Sequence, residues 1–214
     1  MRRIFATAAI AALALAGSSL GSAAALAGPT AQRRVCTITG TGGDDTLSGT
    51  AGDDVICAGR GNDTVNALSG DDVVLGGRGT DVIRGGRGDD ILNGNGGRDT
   101  IRGDGGDDVV RGKLGNDRLR GGAGADRLFG SGGRDFVRGG EGADRIVGGK
   151  RNDNLAGSAD NDEITGGTGA DLLSGWSGDD LLHGIDGVEG NDTIKGAAGT
   201  DVCEADPGDT VLGC

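Results

Sequence analysis

Aliphatic residues recur at every ninth position along most of this chain. From Gly40 to Glu204 the sequence divides into eighteen frames of nine residues, interrupted once by three extra residues, and we number the places of each frame one to nine. Place eight is aliphatic in seventeen frames, and Cys203 is the exception. Its two neighbours alternate with it in the out-in-out order of a short β-strand. A fixed short period of this kind predicts one small structural unit stacked many times.

Two successive frames are expected to form one flattened coil with a strand on each side. Residues eighteen apart then stack, so the side chains at place eight make two facing inner walls. We expect places one to five to form the turn, because glycine is common there and allows positive φ. Eighteen frames then give nine coils. The first members of the two walls are Leu47, Val65, Ile83, Ile101 and Leu119 on one side and Ile56, Val74, Leu92, Val110 and Leu128 on the other.

Place six is aspartate in every frame. Stacked coils align these carboxylates in rows, and rows of like charge at strand spacing require a cation. The alternative is that these residues only make turn hydrogen bonds, but asparagine or serine would then replace some of them, and none does. All are candidate metal ligands: Asp45, Asp54, Asp63, Asp72, Asp81, Asp90, Asp99, Asp108, Asp117, Asp126, Asp135, Asp144, Asp153, Asp162, Asp171, Asp180, Asp192 and Asp201.

The composition does not suit an ordinary globular core. Aromatic residues make up 2% of the 214, tyrosine is absent, and glycine accounts for 49 positions. The formal net charge is −12, and self-repulsion at that charge opposes compaction. We therefore expect the chain to be largely disordered without a ligand. The negative charge also makes nucleic acid an improbable partner and favours divalent cations.

Calcium is the metal that best suits these residues. The expected turns offer only hard oxygen donors, which are aspartate carboxylates and backbone carbonyls. Calcium takes about six to eight such ligands with tolerant geometry, whereas magnesium demands a tighter octahedron. Zinc or copper would need clusters of histidine or cysteine, and His183 is the only histidine. The sequence therefore predicts several bound Ca²⁺ ions.

The frame resembles the Gly-Gly-x-Gly-x-Asp-x-aliphatic-x repeat of the RTX, or hemolysin-type, calcium-binding proteins. Residues 76–83, 85–92 and 139–146 fit every specified place. The resemblance implies an all-β parallel β-roll with ions between adjacent turns on the same edge. It also implies that each ion takes aspartates from frames n and n+2, so that Asp81 and Asp99 share one ion and Asp90 and Asp108 another. Sixteen internal sites are then the upper bound.

Several frames depart from the family pattern. Place four is glycine in sixteen frames but is Arg151 and Asp160 in two consecutive ones, which puts the sites of Asp153 and Asp162 in doubt. The insertion at 184–186 is expected to bulge a turn and to weaken the Asp171–Asp192 site. Place two is glycine in only seven frames. We expect the best sites between residues 76 and 144.

The N-terminus has the pattern of a secretory signal peptide. Two arginines precede an apolar run over 4–16, and the small residues at 25–27 suit cleavage after Ala27. The run is too short and alanine-rich for a spanning helix, although an uncleaved N-terminal anchor is the alternative. The predicted organisation is a signal peptide at 1–27, a cap or linker at 28–39, the β-roll at 40–204 and a C-terminal cap at 205–214. We expect a protein released outside the cell without membrane insertion.

Four cysteines fit an oxidising destination. Cys36 and Cys57 lie at one end of the repeats, and Cys203 and Cys214 lie at the other. Three pairings are possible in principle, but the ends of a nine-coil stack are about 40 Å apart at interstrand spacing. Only local pairs, Cys36–Cys57 and Cys203–Cys214, can then meet. Ideal register places Cys36 beside Asp54, so the first coil is expected to deviate.

Two outward stripes could contact partners. Arg84, Arg102, Arg120 and Arg138 are eighteen residues apart and form an arginine ladder, which could hold an anionic surface polymer. The alternative is that they are solvated or paired with acids at place five, such as Asp89 and Asp107. On the opposite face, Val55, Val73, Ile91 and Val109 form an apolar stripe, which is either a self-association surface or a site where terminal segments pack.

No catalytic motif lies outside the N-terminal segment, so we expect a non-enzymatic protein. The primary functional hypothesis is an extracellular calcium-binding repeat protein with a structural or buffering role. The alternative is an adhesin-like module that binds an anionic polysaccharide through the arginine ladder. An ice-binding solenoid is disfavoured because no outward face carries a regular threonine ladder.

Overall fold

The computed structural model describes the backbone of residues 2–3 and residues 35–188 and 191–214. Most of the predicted signal peptide therefore lies outside the described residues. The described ranges contain strands and no helix that could cross a bilayer. The strands are β1 (Arg2–Arg3), β2 (Ile38–Thr39), β3 (Asp45–Ser48), β4 (Val55–Arg60), β5 (Thr64–Ser69), β6 (Val73–Arg78), β7 (Val82–Arg87), β8 (Ile91–Gly96), β9 (Thr100–Gly105), β10 (Val109–Leu114), β11 (Arg118–Ala123), β12 (Arg127–Gly132), β13 (Phe136–Glu141), β14 (Arg145–Lys150), β15 (Asn154–Ala159), β16 (Glu163–Thr168), β17 (Leu172–Ser177), β18 (Leu181–His183), β19 (Thr193–Ala198), β20 (Val202–Glu204) and β21 (Thr210–Leu212).

The strands alternate between two parallel sheets. Odd-numbered strands form an 11-stranded sheet and even-numbered strands form a 10-stranded sheet. From β2 to β18, neighbouring strands pair with an offset of eighteen residues, as Val73 does with Ile91. The prediction of an all-β parallel β-roll with two frames per coil is confirmed. The eighteen frames supply β3 to β20, and strands β2 and β21 extend the roll into the predicted terminal caps.

Most strands are six residues long, which is longer than the sequence pattern predicted. Strand β7, for example, runs from Val82 at place seven to Arg87 at place three of the next frame. The prediction that places one to five form the turn is therefore wrong for places one to three. The backbone there continues to pair with the next coil, as Gly77 does with Asn95. Trp176 at place two consequently lies within β17 and not in a turn.

The core is a double column of aliphatic side chains between the sheets. Every residue of the two predicted walls is buried, and most are fully inaccessible to solvent. The columns continue to Leu182 and Ile194 near the C-terminal end. Each coil contributes two aliphatic side chains, so the core is one layer thick along the whole roll.

Places two and four of the frame adopt positive φ in nearly every coil. All ten non-glycine residues with positive φ occupy one of these places, eight at place two and two at place four. Arg151 and Asp160 take φ values of 76° and 69° at place four, where other frames have glycine. The position in the frame therefore dictates the backbone conformation, even where the residue is unfavourable for it.

The two disulfides pair locally, as predicted. Cys36 and Cys57 have Cα atoms 5.9 Å apart, and those of Cys203 and Cys214 are 6.0 Å apart. The expected deviation of the first coil lies just before β2, because the strand itself keeps ideal register and pairs Thr39 with Cys57. Cys203 takes an inward place beside Leu182, whereas Cys57 is on the outer face.

The three-residue insertion lengthens the loop between β18 and β19. Pairing resumes beyond it with an offset of twenty-one residues, as between Leu173 and Ile194. Asp186 within the insertion accepts a hydrogen bond from the backbone of Gly169, and the Asn191 side chain donates to the carbonyl oxygen of Gly169. The bulge predicted at 184–186 is present, and it stays attached to the preceding coil.

Candidate metal centre

The place-six aspartates form two rows, one along each edge of the roll. Seventeen of the eighteen carboxylates are buried, with exposed fractions between 0% and 7%, and Asp201 is half-buried. Place six directly precedes the strand in most frames, and its side chain points inward like that of place eight, two residues further along. The frame therefore holds a carboxylic acid inside the roll at every turn.

One oxygen of each carboxylate from Asp63 onwards accepts a hydrogen bond from the coil before it. The backbone N–H of Asp81 donates to Oδ1 of Asp99 over 2.9 Å, and that of Asp90 donates to Oδ1 of Asp108 over 2.8 Å. The same bond recurs along both rows from Asp45 to Asp201. The structure thus brings together the residue pairs that were expected to share an ion. These bonds join neighbouring coils and are not the turn hydrogen bonds considered as the alternative, which among the place-six aspartates are made by Asp45 and Asp54.

The second carboxylate oxygen is buried without a partner in most coils. Leaving a buried polar oxygen unpaired is costly, and far more so when the group is ionised. Sixteen Oδ2 atoms among the described residues are in this state: those of Asp63, Asp72, Asp81, Asp90, Asp99, Asp108, Asp117, Asp126, Asp135, Asp144, Asp153, Asp162, Asp171, Asp180, Asp192 and Asp201.

The place-one glycine leaves room for this second oxygen. A Cβ at Gly103 would lie 2.0 Å from Oδ2 of Asp108 and 2.8 Å from the carbonyl oxygen of Gly121. At Gly85 the corresponding distances to Asp90 and Gly103 are 2.1 and 2.8 Å. A carboxylate oxygen and a backbone carbonyl oxygen therefore converge above a glycine in successive coils. A Cβ at either of these two glycines would have to displace one of the oxygens.

Burial raises the pKa values of these carboxyls. Desolvation is the main cause, neighbouring aspartates in the row add to it in most coils, and the hydrogen bond to Oδ1 opposes it. The pKa is about 8 for Asp144 and about 7 for Asp99, Asp108 and Asp153. Carboxyls with such pKa values are stabilised either by a proton or by a cation.

The first frames differ from the rest. Oδ2 of Asp45 accepts hydrogen bonds from both the backbone N–H and the hydroxyl of Thr41, and Oδ2 of Asp54 is bound in the same way by Thr50. Neither of these two predicted ligands has a buried oxygen without a partner. The next two frames carry Ala58 and Ala67 at place one, so a methyl group occupies the space that glycine leaves open elsewhere. Threonine at place two was the sequence signal for the additional hydrogen bonds of Asp45 and Asp54.

The atypical frames further along keep the geometry of their neighbours. Asp153 and Asp162, which follow Arg151 and Asp160, make the same Oδ1 bonds at 2.8 and 2.9 Å. The insertion leaves the Asp171–Asp192 hydrogen bond intact at 2.8 Å. The substitutions at place four and the insertion therefore leave the Oδ1 hydrogen bonds of these sites unchanged.

A second ladder of side chains runs along the outside of the turns, and the sequence pattern did not predict it. Asparagine or aspartate at place five accepts a hydrogen bond from the backbone N–H of place five in the next coil, as Asp89 does from Asp107 over 2.8 Å. Asn116 does so from Arg134. These bonds are exposed, and they occupy one oxygen of the acids that were considered as partners for the arginine ladder.

The arginine ladder is present and exposed on the 11-stranded sheet. Arg84, Arg102, Arg120 and Arg138 are directly paired in register. Within the described residues, Arg145 pairs with Glu163 and the His183 ring hydrogen-bonds with Glu204, and no ion pair joins the ladder to Asp89 or Asp107. The apolar stripe on the other sheet is also in register, and its members are half-buried apart from Val73, which is buried.

The donor set of the aspartate rows fits calcium. The described residues contain no cluster of three or more metal-ligating side chains, so an ion in these rows would take its remaining oxygens from backbone carbonyls. Calcium accepts carboxylate and carbonyl oxygens in flexible numbers. The unpartnered Oδ2 atoms and the convergent glycine carbonyls are therefore suitable ligands, and a bound cation would supply the positive charge that the buried carboxylates lack.

Comparison with known proteins agrees with this geometry. No curated protein matches the chain. The family described as the RTX calcium-binding nonapeptide repeat matches it in overlapping segments that together span residues 37–182 and 185–212. These segments cover most of the described roll and carry both aspartate rows. The chain therefore belongs to the RTX calcium-binding nonapeptide repeat family.

Proposed function

We propose that the chain is an exported protein whose roll forms when Ca²⁺ binds between adjacent turns, and that its role outside the cell is structural or calcium-buffering rather than catalytic. The ligands would be the place-six aspartates from Asp63 onwards together with backbone carbonyls of the turns. Asp45 and Asp54 would act instead as part of an N-terminal cap held by threonine.

The observation that carries this proposal is the set of sixteen buried Oδ2 atoms without a hydrogen-bond donor. A single orphaned oxygen is a local defect, but one in every successive coil destabilises the whole roll. The one-layer core provides limited apolar burial to offset that cost. A row of divalent cations would bind the unpartnered oxygens and would reduce the repulsion between stacked carboxylates.

Export is supported by the cysteines and the N-terminal pattern. Both pairs of cysteines form disulfides, which persist in oxidising compartments. Extracellular calcium would then be available where the chain folds, so that it remains unfolded until it reaches the outside. Residues 1–27 retain the pattern of a signal peptide, with cleavage proposed after Ala27.

The experiment that tests the proposal is circular dichroism of the purified chain, disulfides intact, in calcium and in excess chelator, with calorimetry to count the ions bound. At a pH above the raised pKa values of the aspartates, we expect β-structure only in calcium and more than ten ions per chain, because sixteen oxygens are available. Magnesium at the same concentration serves as the control cation. A chain that keeps its β-structure in chelator and binds no calcium would refute the proposal.

A further inference from the structure

A shallow trough crosses the outer face of the 11-stranded sheet, away from both aspartate rows. It extends over five neighbouring strands, from Asp104 in β9 to Trp176 in β17, and has a volume of about 490 Å³. Four interstrand spacings make it about 19 Å long. Its floor is low because the place-two residues between its ends are small, namely Gly122, Gly140 and Ser158.

One wall of the trough is cationic. Arg120 and Arg138 lie two residues before Gly122 and Gly140 on the same outward side of their strands, and both are exposed. Neither forms an ion pair within the described residues. Like charges stacked directly across neighbouring strands repel each other, so the apo surface favours an anionic ligand at this place. Guanidinium groups bind carboxylates through two parallel hydrogen bonds.

One end of the trough is aromatic. Trp176 is the only tryptophan of the chain and is 55% exposed. It occupies a place-two position with φ of 82°, where seven frames have glycine. A large exposed indole in an unfavourable backbone conformation adds nothing to the core. Its ring provides a flat apolar surface with one polar N–H, which suits a ligand that is apolar on one face and polar at its edges.

From these features we propose that the trough binds a linear polysaccharide containing uronic acids. Sugar rings would stack on Trp176, their carboxylates would bind Arg120 and Arg138, and their hydroxyls would donate to the exposed acids Asp104 and Glu141. These two acids disfavour a polymer with a charge on every unit, such as a phosphodiester chain, because they would repel it. A single aromatic side chain likewise provides no succession of platforms for nucleic-acid bases.

The net charge of −12 opposes unspecific binding of anionic polymers. A protein of that charge repels polyanions in general, so binding requires a local match rather than a diffuse positive field. The site also lies on the sheet face rather than at the turns. Because binding is tested on the folded chain, the proposal of uronate binding can fail while calcium-dependent folding is confirmed.

The test is titration of the full chain, folded in calcium, with a hexasaccharide of hyaluronan, in which glucuronate alternates with N-acetylglucosamine. Binding is followed by calorimetry and by the fluorescence of Trp176. The neutral hexasaccharide of N-acetylglucosamine and a glycerol-phosphate hexamer serve as ligand controls. We expect the uronate ligand to bind at low salt, to shift the fluorescence and to bind more tightly than either control.

Two variants remove the proposed contacts without removing core residues. Arg120→Gln with Arg138→Gln eliminates the cationic wall, and Trp176→Gly eliminates the ring while placing glycine where φ is positive. Each is expected to weaken uronate binding by at least about tenfold. The matched control, Arg78→Gln with Arg127→Gln, removes two exposed arginines from the 10-stranded sheet and should leave the affinity unchanged.

Circular dichroism in calcium confirms that each variant is folded before its affinity is compared. The proposal is overturned if the uronate ligand does not bind to the folded native chain, or if it binds equally well to the Arg120/Arg138 variant. Tighter binding of the glycerol-phosphate hexamer would overturn the assignment to uronic acids. Equal binding of the neutral hexasaccharide would show that the arginines play no part.

Discussion

The backbone N–H of Asp90 donates a hydrogen bond to Oδ1 of Asp108, one coil further along, while Oδ2 of Asp108 has no partner among the described residues. The two oxygens of one carboxylate therefore have different tasks. Oδ1 joins adjacent coils with or without an ion, and Oδ2 is the atom that a cation would bind. Substitutions that preserve one oxygen and alter the other can separate the two tasks.

Asp108→Asn preserves the oxygen that accepts a hydrogen bond from Asp90 and replaces the other oxygen with an NH₂ group. We expect the free energy of unfolding in calcium to fall by about 1–3 kcal/mol, because a charged ligand is lost from a buried site. In chelator the variant should retain at least as much β-structure as the native chain, because one buried charge is removed. Chemical unfolding in calcium and circular dichroism in chelator measure the two effects.

The matched control for this substitution is Asp107→Asn, one residue earlier. Asp107 at place five is exposed, and its Oδ1 accepts from the backbone of Ala125 over 2.8 Å, a bond that asparagine keeps. Asparagine occurs naturally at this place, for example at Asn116. We expect no change in stability or in the calcium requirement. Equal losses for the two variants would mean that Oδ2 of Asp108 has no special role.

The response to pH should reverse when calcium is removed. Burial raises the pKa of Asp144 to about 8 and that of Asp99 to about 7, above the ordinary value of 3.8, so the folded metal-free chain holds more protons than the unfolded chain. Its stability is therefore greatest at low pH and is lost as the pH rises through these values. In calcium the ion competes with the proton, so more calcium is needed at lower pH.

Circular dichroism in chelator between about pH 5 and pH 8 checks this sign, and a calcium titration at each pH provides the paired measurement. The β-sheet signal in chelator should decrease as the pH rises. A signal that increases with pH in chelator would contradict the raised pKa values of the aspartate rows.

Gly103→Ala tests the space beside the carboxylate. The new Cβ would lie 2.0 Å from Oδ2 of Asp108, so the side chain must shift and its contacts change. We expect a loss of about 1–3 kcal/mol in calcium and a weaker affinity for one or more ions. Gly105→Ala is the control, because its Cβ would meet only the carbonyl oxygen of Gly86 at 3.9 Å. If denaturant titration gives the same free energy of unfolding for both variants, the space beside Oδ2 of Asp108 does not require glycine at place one.

Arg151→Gly should stabilise the roll. Arg151 has φ of 76° at a place where sixteen frames have glycine, and glycine adopts this conformation without the steric cost of a side chain. We expect a gain of about 1 kcal/mol in the free energy of unfolding in calcium. Arg134→Gly, at place five without positive φ, should give no such gain. A loss of stability in Arg151→Gly would show that its side chain makes a stabilising contact.

The C-terminal disulfide should secure the last strand. Cys203→Val with Cys214→Ser places an aliphatic side chain of similar size in the inner column and removes the cross-link. Hydrogen exchange should then become faster in β21, whose pairing with β19 holds the end of the 11-stranded sheet. The control is Cys36→Ser with Cys57→Leu at the other end, where leucine is the in-register neighbour at Leu75. Unchanged exchange in β21 would contradict this role.

The repeat period allowed the coil, the two inner walls and the pairing of cysteines to be predicted. Leu92 and Val110 repeat at the spacing of one coil, and Asp90 and Asp108 share that spacing, so their stacking follows from arithmetic and strand geometry alone. The period also located the arginine ladder, because a residue's place in the frame fixes the sheet face on which it lies.

Features that depend on individual hydrogen bonds could not be predicted in this way. The frame shows which residues recur but not which backbone groups remain paired, so the strands were expected to end before place one. Thr41 and Asp45 are four residues apart in the first frame, and only the turn geometry shows that the hydroxyl and the carboxylate meet. The ladder at place five was missed because several frames interrupt it with residues such as Arg98 and Ala125.

The eighteen-residue offset between paired strands has a consequence for how such a chain can change length. Gain or loss of a single frame would move every later residue to the opposite sheet, and a change between Arg84 and Arg138 would divide the arginine ladder between the two sheets. The aspartate rows would simply exchange edges, since both edges are built alike. Ion binding therefore tolerates growth in steps of nine residues, whereas any surface pattern on the outer faces survives only in steps of eighteen.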